Sequence, residues 1–230
     1  MHIHLPKPMH GWREFLGEVG IIVLGVLIAL GAEQVVEAWH WHHEVGELRE
    51  ALDHELDYNL ASLRYRATQE DCVAARIATL AEWQAGLRKG AVTALPADIG
   101  RPAAIAMKTA VWNARSTEAM AHMPLAERLK YSIFYDDMAT VTILLMEDRE
   151  AWTQLNAFNR MPGPLSGDAA LKLNELLFRV RSLNKLLASD WRLSEPEAQK
   201  MGLHPSFGAD EGRFDPPRSS GVCRPMQAGS

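Results

Sequence analysis

From Val19 to Ala32 no side chain carries a charge, and Ile21, Ile22, Val23, Leu24, Val26, Leu27, Ile28 and Leu30 crowd this short block. Its flanks extend the apolar character from Trp12 to Trp39. A helix rises about 1.5 Å per residue, so those two tryptophans would stand roughly 40 Å apart, the thickness of a bilayer with its headgroups. Tryptophan favours membrane interfaces, and Trp12, Trp39 and Trp41 fall where the two interfaces would lie. A helix buried in a water-soluble core has no reason to carry aromatics at both ends. A cleavable leader would end at a small-residue processing site, whereas helical spacing here continues through Val35 and Val36. The pattern predicts an uncleaved transmembrane helix over residues 15–39, preceded by a short segment, 1–14.

Beyond it, Val45, Leu48, Leu52, Leu56, Leu60 and Leu63 recur at spacings of three and four, the signature of one buried helical face. The membrane helix is therefore expected to continue outside the bilayer. Val73, Ile77, Leu80 and Leu87 repeat the pattern, and the polar "RYRATQED" between the two sets reads as a bend or a solvated stretch of a continuous helix. In "GAVTALPADIGRP", Gly90, Pro96, Gly100 and Pro102 disfavour helix and predict a loop. A short helix carrying Ile105, Val111 and Trp112 is expected next. Pro124 suits the first position of a longer one, reaching about Phe158 through Leu129, Ile133, Leu145, Trp152 and Leu155. "NRMPGPLSG" ends it. Asp168 is the expected N-cap of a last helix, with Leu173, Leu176, Leu177, Val180, Leu183, Leu187 and Trp191 on one face. From Leu203 the chain turns rich in Gly, Pro and Ser without periodicity, which predicts a flexible tail over 203–230. The expected fold is all-α: one transmembrane helix running on into a long helix, and an antiparallel bundle of three or four helices within 40–202.

Charge decides which way such a helix points. Lys7 and Arg13 precede the apolar block, while Glu33, Glu37, Glu44 and Glu47 follow it before Arg49. The positive-inside rule places the N-terminus in the cytoplasm and the rest of the chain beyond the membrane. A dozen residues cannot fold into an enzyme or a DNA-reading module, so function is expected in the membrane or outside it. The net charge of -5 gives no pull toward nucleic acid. The only two cysteines, Cys72 and Cys223, lack a C-x-x-C partner and are either free thiols or one long-range bridge.

The run "FLGEVGIIVLGVLIALGAEQVVEAW", followed by "LDHELDYNL", resembles the N-terminal anchor of an uncharacterised family of bacterial single-pass inner-membrane proteins. "VWNARSTEAMAHMPLAERLKYSIFYDDM" is similar to that family's second recurring block, with alanine at 119 where the pattern carries a glycine nearby. The resemblance covers about a third of the chain. It implies a membrane anchor with a helical exported domain, and no activity.

Among candidate sites, His40, His43, Glu44 and Glu47 share one helical face, and imidazoles with carboxylates on adjacent turns can chelate a divalent metal. The run is "HEVGE" and not H-E-x-x-H, so the zinc-protease pattern is absent. The competing account treats the histidines and tryptophans as amphipathic residues of the headgroup region. Glu18, an acid at membrane depth, is either functional, as in proton-driven stator subunits, or a carboxylate near a helix N-terminus and the headgroups. Gly17, Gly20, Gly25 and Gly31 would admit a second membrane helix at close range, without a G-x-x-x-G spacing. Tyr135 to Met138, "YDDM", and Arg115 with Glu118 read as solvated charges. No catalytic constellation or cofactor motif is present. The expected function is non-enzymatic: a bitopic protein in the lipid bilayer whose exported bundle self-assembles or serves as an accessory subunit of other membrane proteins. The alternative is an exported ligand- or metal-binding module.

Overall fold

The structure, a computed structural model, describes residues 11–89, 95, 98–160, 165–208 and 220–226. Helix α1 runs from Trp12 to Ala67, α2 from Glu70 to Arg88, α3 from Ala110 to Ala114, α4 from Thr117 to His122, α5 from Leu125 to Asn156 and α6 from Gly167 to Met201. Single 3-10 turns follow at Ala157–Arg160 and Gly221–Cys223. No strand occurs among the described residues, so the all-α expectation holds. The chain divides into two compact units: Met1–Arg49 with Ser116–Met123, and Glu50–Arg115 with Pro124–Ser230.

The first unit consists of the leading part of α1 and the short α4. Every side chain from Gly11 to His40 is exposed, and burial begins at Val45. Ser116 caps α4 by accepting from the Ala119 amide at 3.1 Å, and Ala119, Met120 and Met123 are buried.

The second unit is held by two kinds of buried position on one helical rod. Leu52, Leu56, Leu60 and Leu63 of α1 and Val73, Ile77 and Leu80 of α2 are almost wholly buried, as the three-four spacing predicted. The helix breaks for only two residues, Thr68 and Gln69, where the Thr68 amide still reaches the Arg64 carbonyl at 2.9 Å. The stretch "RYRATQED" is no solvated segment: Tyr65, Arg66 and Gln69 are buried. Polar side chains then bind an extended returning segment residue by residue. Arg76 donates to the carbonyls of Asp98 at 2.9 Å and Ile99 at 2.7 Å. Gln69 donates to the Ala103 carbonyl and accepts from the Ala103 amide, at 2.8 and 2.9 Å. Asn59 does the same with Lys108, at 2.7 Å each way. Glu55 accepts from the amides of Val111 and Trp112 at 2.9 and 3.1 Å, at the start of α3. Residues 98–109 therefore descend α2 and α1 in reverse, with several of their amides and carbonyls satisfied by side chains instead of by helix. Only Ala110–Ala114 is helical here, and Ile105, expected on that helix, packs beside Tyr65 and Phe207 instead.

This return sets the topology. Tyr131 donates to Asp53 at 2.6 Å, Tyr135 to Glu55 at 2.8 Å and Arg66 to Asp148 at 3.1 Å, so α5 runs parallel to α1. Helix α6 is antiparallel to both neighbours, since Arg179 meets Glu147 and Gln84 meets the Ala170 carbonyl. Trp152, Leu155, Leu173, Leu176, Val180 and Leu183 close the core. Pro124 stands one residue before α5. The cap of α6 is Ser166, whose hydroxyl accepts from the Ala169 amide at 3.2 Å; Asp168 lies in the first turn instead. Trp191, expected on the core face, is only half-buried. Helix α6 continues past Pro196 to a left-handed cap at Gly202, φ +78°.

The flexible tail expected from 203 onward requires correction over its described parts. Leu203 and Phe207 are buried, and Phe207 packs edge-on against Tyr58 at 5.5 Å. Val222 is buried, and Cys223 is disulfide-bonded to Cys72, their Cα atoms 4.9 Å apart. Arg76 fixes the same segment through the carbonyls of Val222 and Arg224. Most of the expected loops at 90–97 and 161–164, the remainder of the tail, and Lys7 lie outside the described residues.

Candidate functional site

The apolar block forms one end of α1, and α1 is a helix long and apolar enough to cross a membrane. Trp12 and Trp39 are exposed at 78% and 72%, and none of Gly17, Gly20, Gly25 and Gly31 has a neighbour within 4 Å of an added Cβ. Glu18 is exposed within the same segment. Among the described residues, nothing in the protein covers this stretch.

The four candidate metal ligands are not drawn together. His43 Nε2 pairs with Glu47 Oε1 at 3.2 Å while its ring stacks near Trp39, and His40 lies tilted against Trp41. Among the described residues no three of His, Cys, Asp or Glu are grouped so as to hold an ion. Ligands one turn apart on a single helix supply two donors, and a structural site takes four. Trp41 is less exposed than Trp39. Its ring stacks on His122 of α4 at 4.2 Å, and its indole N–H reaches Glu37 at 3.4 Å.

The chemistry the sequence did not reveal is buried in the second unit. Arg66, Asp148 and Asn184 are almost completely shielded. Arg66 donates through Nε and Nη2 to the two carboxylate oxygens of Asp148 at 3.1 and 3.2 Å, and through Nη1 to Asn184 at 3.0 Å. Trp152 completes Asp148 at 3.1 Å, and Asn184 donates to the Glu70 carbonyl at 3.0 Å. The set ties α1, α2, α5 and α6 at one level. Each polar group of the set is engaged by another, so the set locks the four helices together. Glu55 is equally occupied, and burial followed by the hydrogen bond to Glu55 pushes the Tyr135 phenol far above its ordinary range. Trp112 lies between the Tyr135 ring, stacked at 4.4 Å, and the Arg115 guanidinium at 3.6 Å, so neither Tyr135 of "YDDM" nor Arg115 is the solvated group expected from the sequence.

Helices α5 and α6 also carry apolar residues on their outer sides. Leu171, Phe178, Leu186 and Leu193 follow one another at spacings of seven, eight and seven, opposite the buried face of α6, and all are exposed. Leu129 and Ile133 of α5 add to them, and Ile133 and Leu193 line one shared groove. The periodicity of Leu129 and Ile133 suggested core in the sequence; a helix with apolar residues on two faces gives no clue to which is covered.

No family model, curated protein or solved structure matches the chain.

Proposed function

We propose that the protein is a single-pass membrane protein whose N-terminal helix anchors an exported helical domain, and that this domain assembles with further copies of itself. The observation that carries the reading is the abrupt change along α1. From Gly11 to His40 every side chain is exposed, although most of the segment is apolar, and from Val45 onward the same helix is buried at three-four spacing. A bilayer is the solvent in which the first part is stable.

Two observations support the direction. The positive charge lies before the apolar block and the acidic residues after it. The Cys72–Cys223 disulfide lies on the far side of the block, and such bonds persist in oxidising compartments. Assembly is supported by the outer stripe on α6, a row of apolar residues longer than a solitary domain usually leaves in water. Several charges flanking that face are already paired within the chain, Lys172 with Glu175, Arg179 with Glu147 and Lys200 with Glu197, which lowers the charge repulsion a second copy would meet. Anchoring in one membrane raises the effective concentration of such copies.

A C-terminal alkaline phosphatase fusion is expected to be active and a C-terminal green fluorescent protein fusion dark; the reverse pattern overturns the orientation. Leu186→Cys, with both native cysteines already tied up in their own disulfide, is expected to give a cross-linked dimer in membranes, and Phe178→Glu to abolish it. A strictly monomeric protein in native mass spectrometry and no cross-link would remove the assembly reading.

A further inference from the structure

A cavity of about 410 Å³ lies in the second unit between α5 and the extended segment that follows Gly100, with Gly221 at its edge. Small-molecule sites have volumes of this order. Part of its inner surface is apolar: Leu145 and Trp152 of α5 and Pro102 of the extended segment are all buried. Among the described residues its only carboxylate, Asp148, is engaged on both oxygens by Arg66 and on one by Trp152. The remaining charges are Arg101 and Arg149, which are exposed and, among the described residues, have no hydrogen-bond or ionic partner for their guanidinium groups.

The wall is held in place before any ligand arrives. The Gly100 carbonyl accepts from Asn156 at 2.8 Å, the Arg101 carbonyl accepts from the Val222 amide at 3.3 Å, and Gln69 holds both backbone groups of Ala103. Gly100 and Gly221 approach so closely that a Cβ on Gly100 would lie 2.8 Å from the Gly221 carbonyl carbon, and Gly100 has φ +70°. Tryptophan and leucine on the floor, two unpaired guanidinium groups on the walls and a neutralised acid together favour one ligand chemistry. Guanidinium recognises carboxylate through paired N–H donors, and the floor rewards an apolar body.

We propose that this cavity binds a small organic carboxylate with a compact apolar body, its carboxylate held by Arg101 and Arg149 and its body lying on Leu145 and Trp152. The site is independent of the membrane and assembly reading, since all its residues belong to the second unit. The test is isothermal titration calorimetry of the full chain in non-ionic detergent at pH 7.5, with benzoate as probe. Benzamide has the same body without the charge, and inorganic phosphate has charge without the body. Benzoate is expected to bind saturably, with benzamide and phosphate each at least tenfold weaker. The double variant Arg101→Gln, Arg149→Gln keeps the side-chain stems and is expected to melt like the parent and bind benzoate at least tenfold more weakly. Absence of benzoate binding at millimolar concentration overturns the proposal. So does equal binding of benzamide or phosphate, or unchanged benzoate binding by a folded double variant.

Discussion

Removing the carboxylate at the centre of the buried ion pair should be one of the most damaging single changes in the helical domain. In Asp148→Ala the Arg66 guanidinium loses acceptors at 3.1 and 3.2 Å, the Trp152 indole N–H loses its acceptor at 3.1 Å, and only Asn184 at 3.0 Å remains. Arg66 is 1% exposed, so water cannot take the place of the lost oxygens without opening the helices. Breaking a buried pair by deleting one partner costs about 3–5 kcal/mol, because the surviving charge stays desolvated. For a domain of this size each kcal/mol moves the melting temperature by roughly 2–4 °C, which puts the expected fall at about 6–20 °C. The assay is thermal melting of the full chain in non-ionic detergent, followed by circular dichroism and by Trp152-containing fluorescence. Pairing the change with Arg66→Met removes the stranded charge, and the double variant should recover a substantial part of the loss. A melting temperature for Asp148→Ala within about 2 °C of the parent would show that the pair is not what holds these helices. A double variant as unstable as the single one would refute the desolvation argument itself.

Replacing Cys72 and Cys223 together by serine releases a loop of 151 residues and should cost about 2–5 kcal/mol, measured by urea unfolding against the oxidised parent. Ser166→Ala should destabilise by about 1 kcal/mol through loss of the bond to the Ala169 amide, whereas Asp168→Ala should cost less than about half of that; equal losses in a urea titration would mean the cap is misassigned. Burial, reinforced by the neighbouring Asp137 charge, holds the Asp190 carboxyl above its ordinary range, and its Oδ2 has no hydrogen-bond partner among the described residues. A raised carboxyl contributes stability that is complete below its unfolded value of 3.8 and is lost as pH rises through the folded value. Asp190→Asn should therefore melt higher than the parent at pH 7.5, the difference shrinking toward zero below about pH 3.8, and a constant difference across that range would contradict the assignment.

Periodicity made most of the helices legible, because Leu52 to Leu63 and Leu173 to Leu187 each place a single apolar row on a single buried face. It failed where burial is polar. Glu55, Asn59, Gln69 and Arg76 share one face of the α1–α2 rod and are buried, yet by residue type they read as solvent-facing; what buries them is a backbone, which leaves no pattern in its own sequence. The same blindness hid Arg66, which lies in the most polar run of the helix and is partnered by residues 82 and 118 positions away. Ser166 lost to Asp168 as a cap because either side chain can accept from an early amide, and only the helix start decides between them. The packed ends of the tail were missed because Leu203, Phe207 and Val222 are isolated anchors in Gly- and Pro-rich sequence, too sparse to form a period. Even the outer stripe of α6 was present in the residues. Its significance depended on knowing which of two apolar faces the bundle covers.

The Cys72–Cys223 bond also changes how the domain behaves when its chain is cut. Everything from Cys72 in the first turn of α2 to Cys223 lies inside one covalent ring, and the apolar helix joins that ring through Cys72 alone. A protease that cleaves once anywhere between the two cysteines opens the ring but releases nothing, and both fragments remain joined to the apolar helix. Shedding the domain takes a second cut, a reductant, or cleavage between the apolar block and Cys72, where the chain is almost entirely helical and poorly suited to a protease cleft.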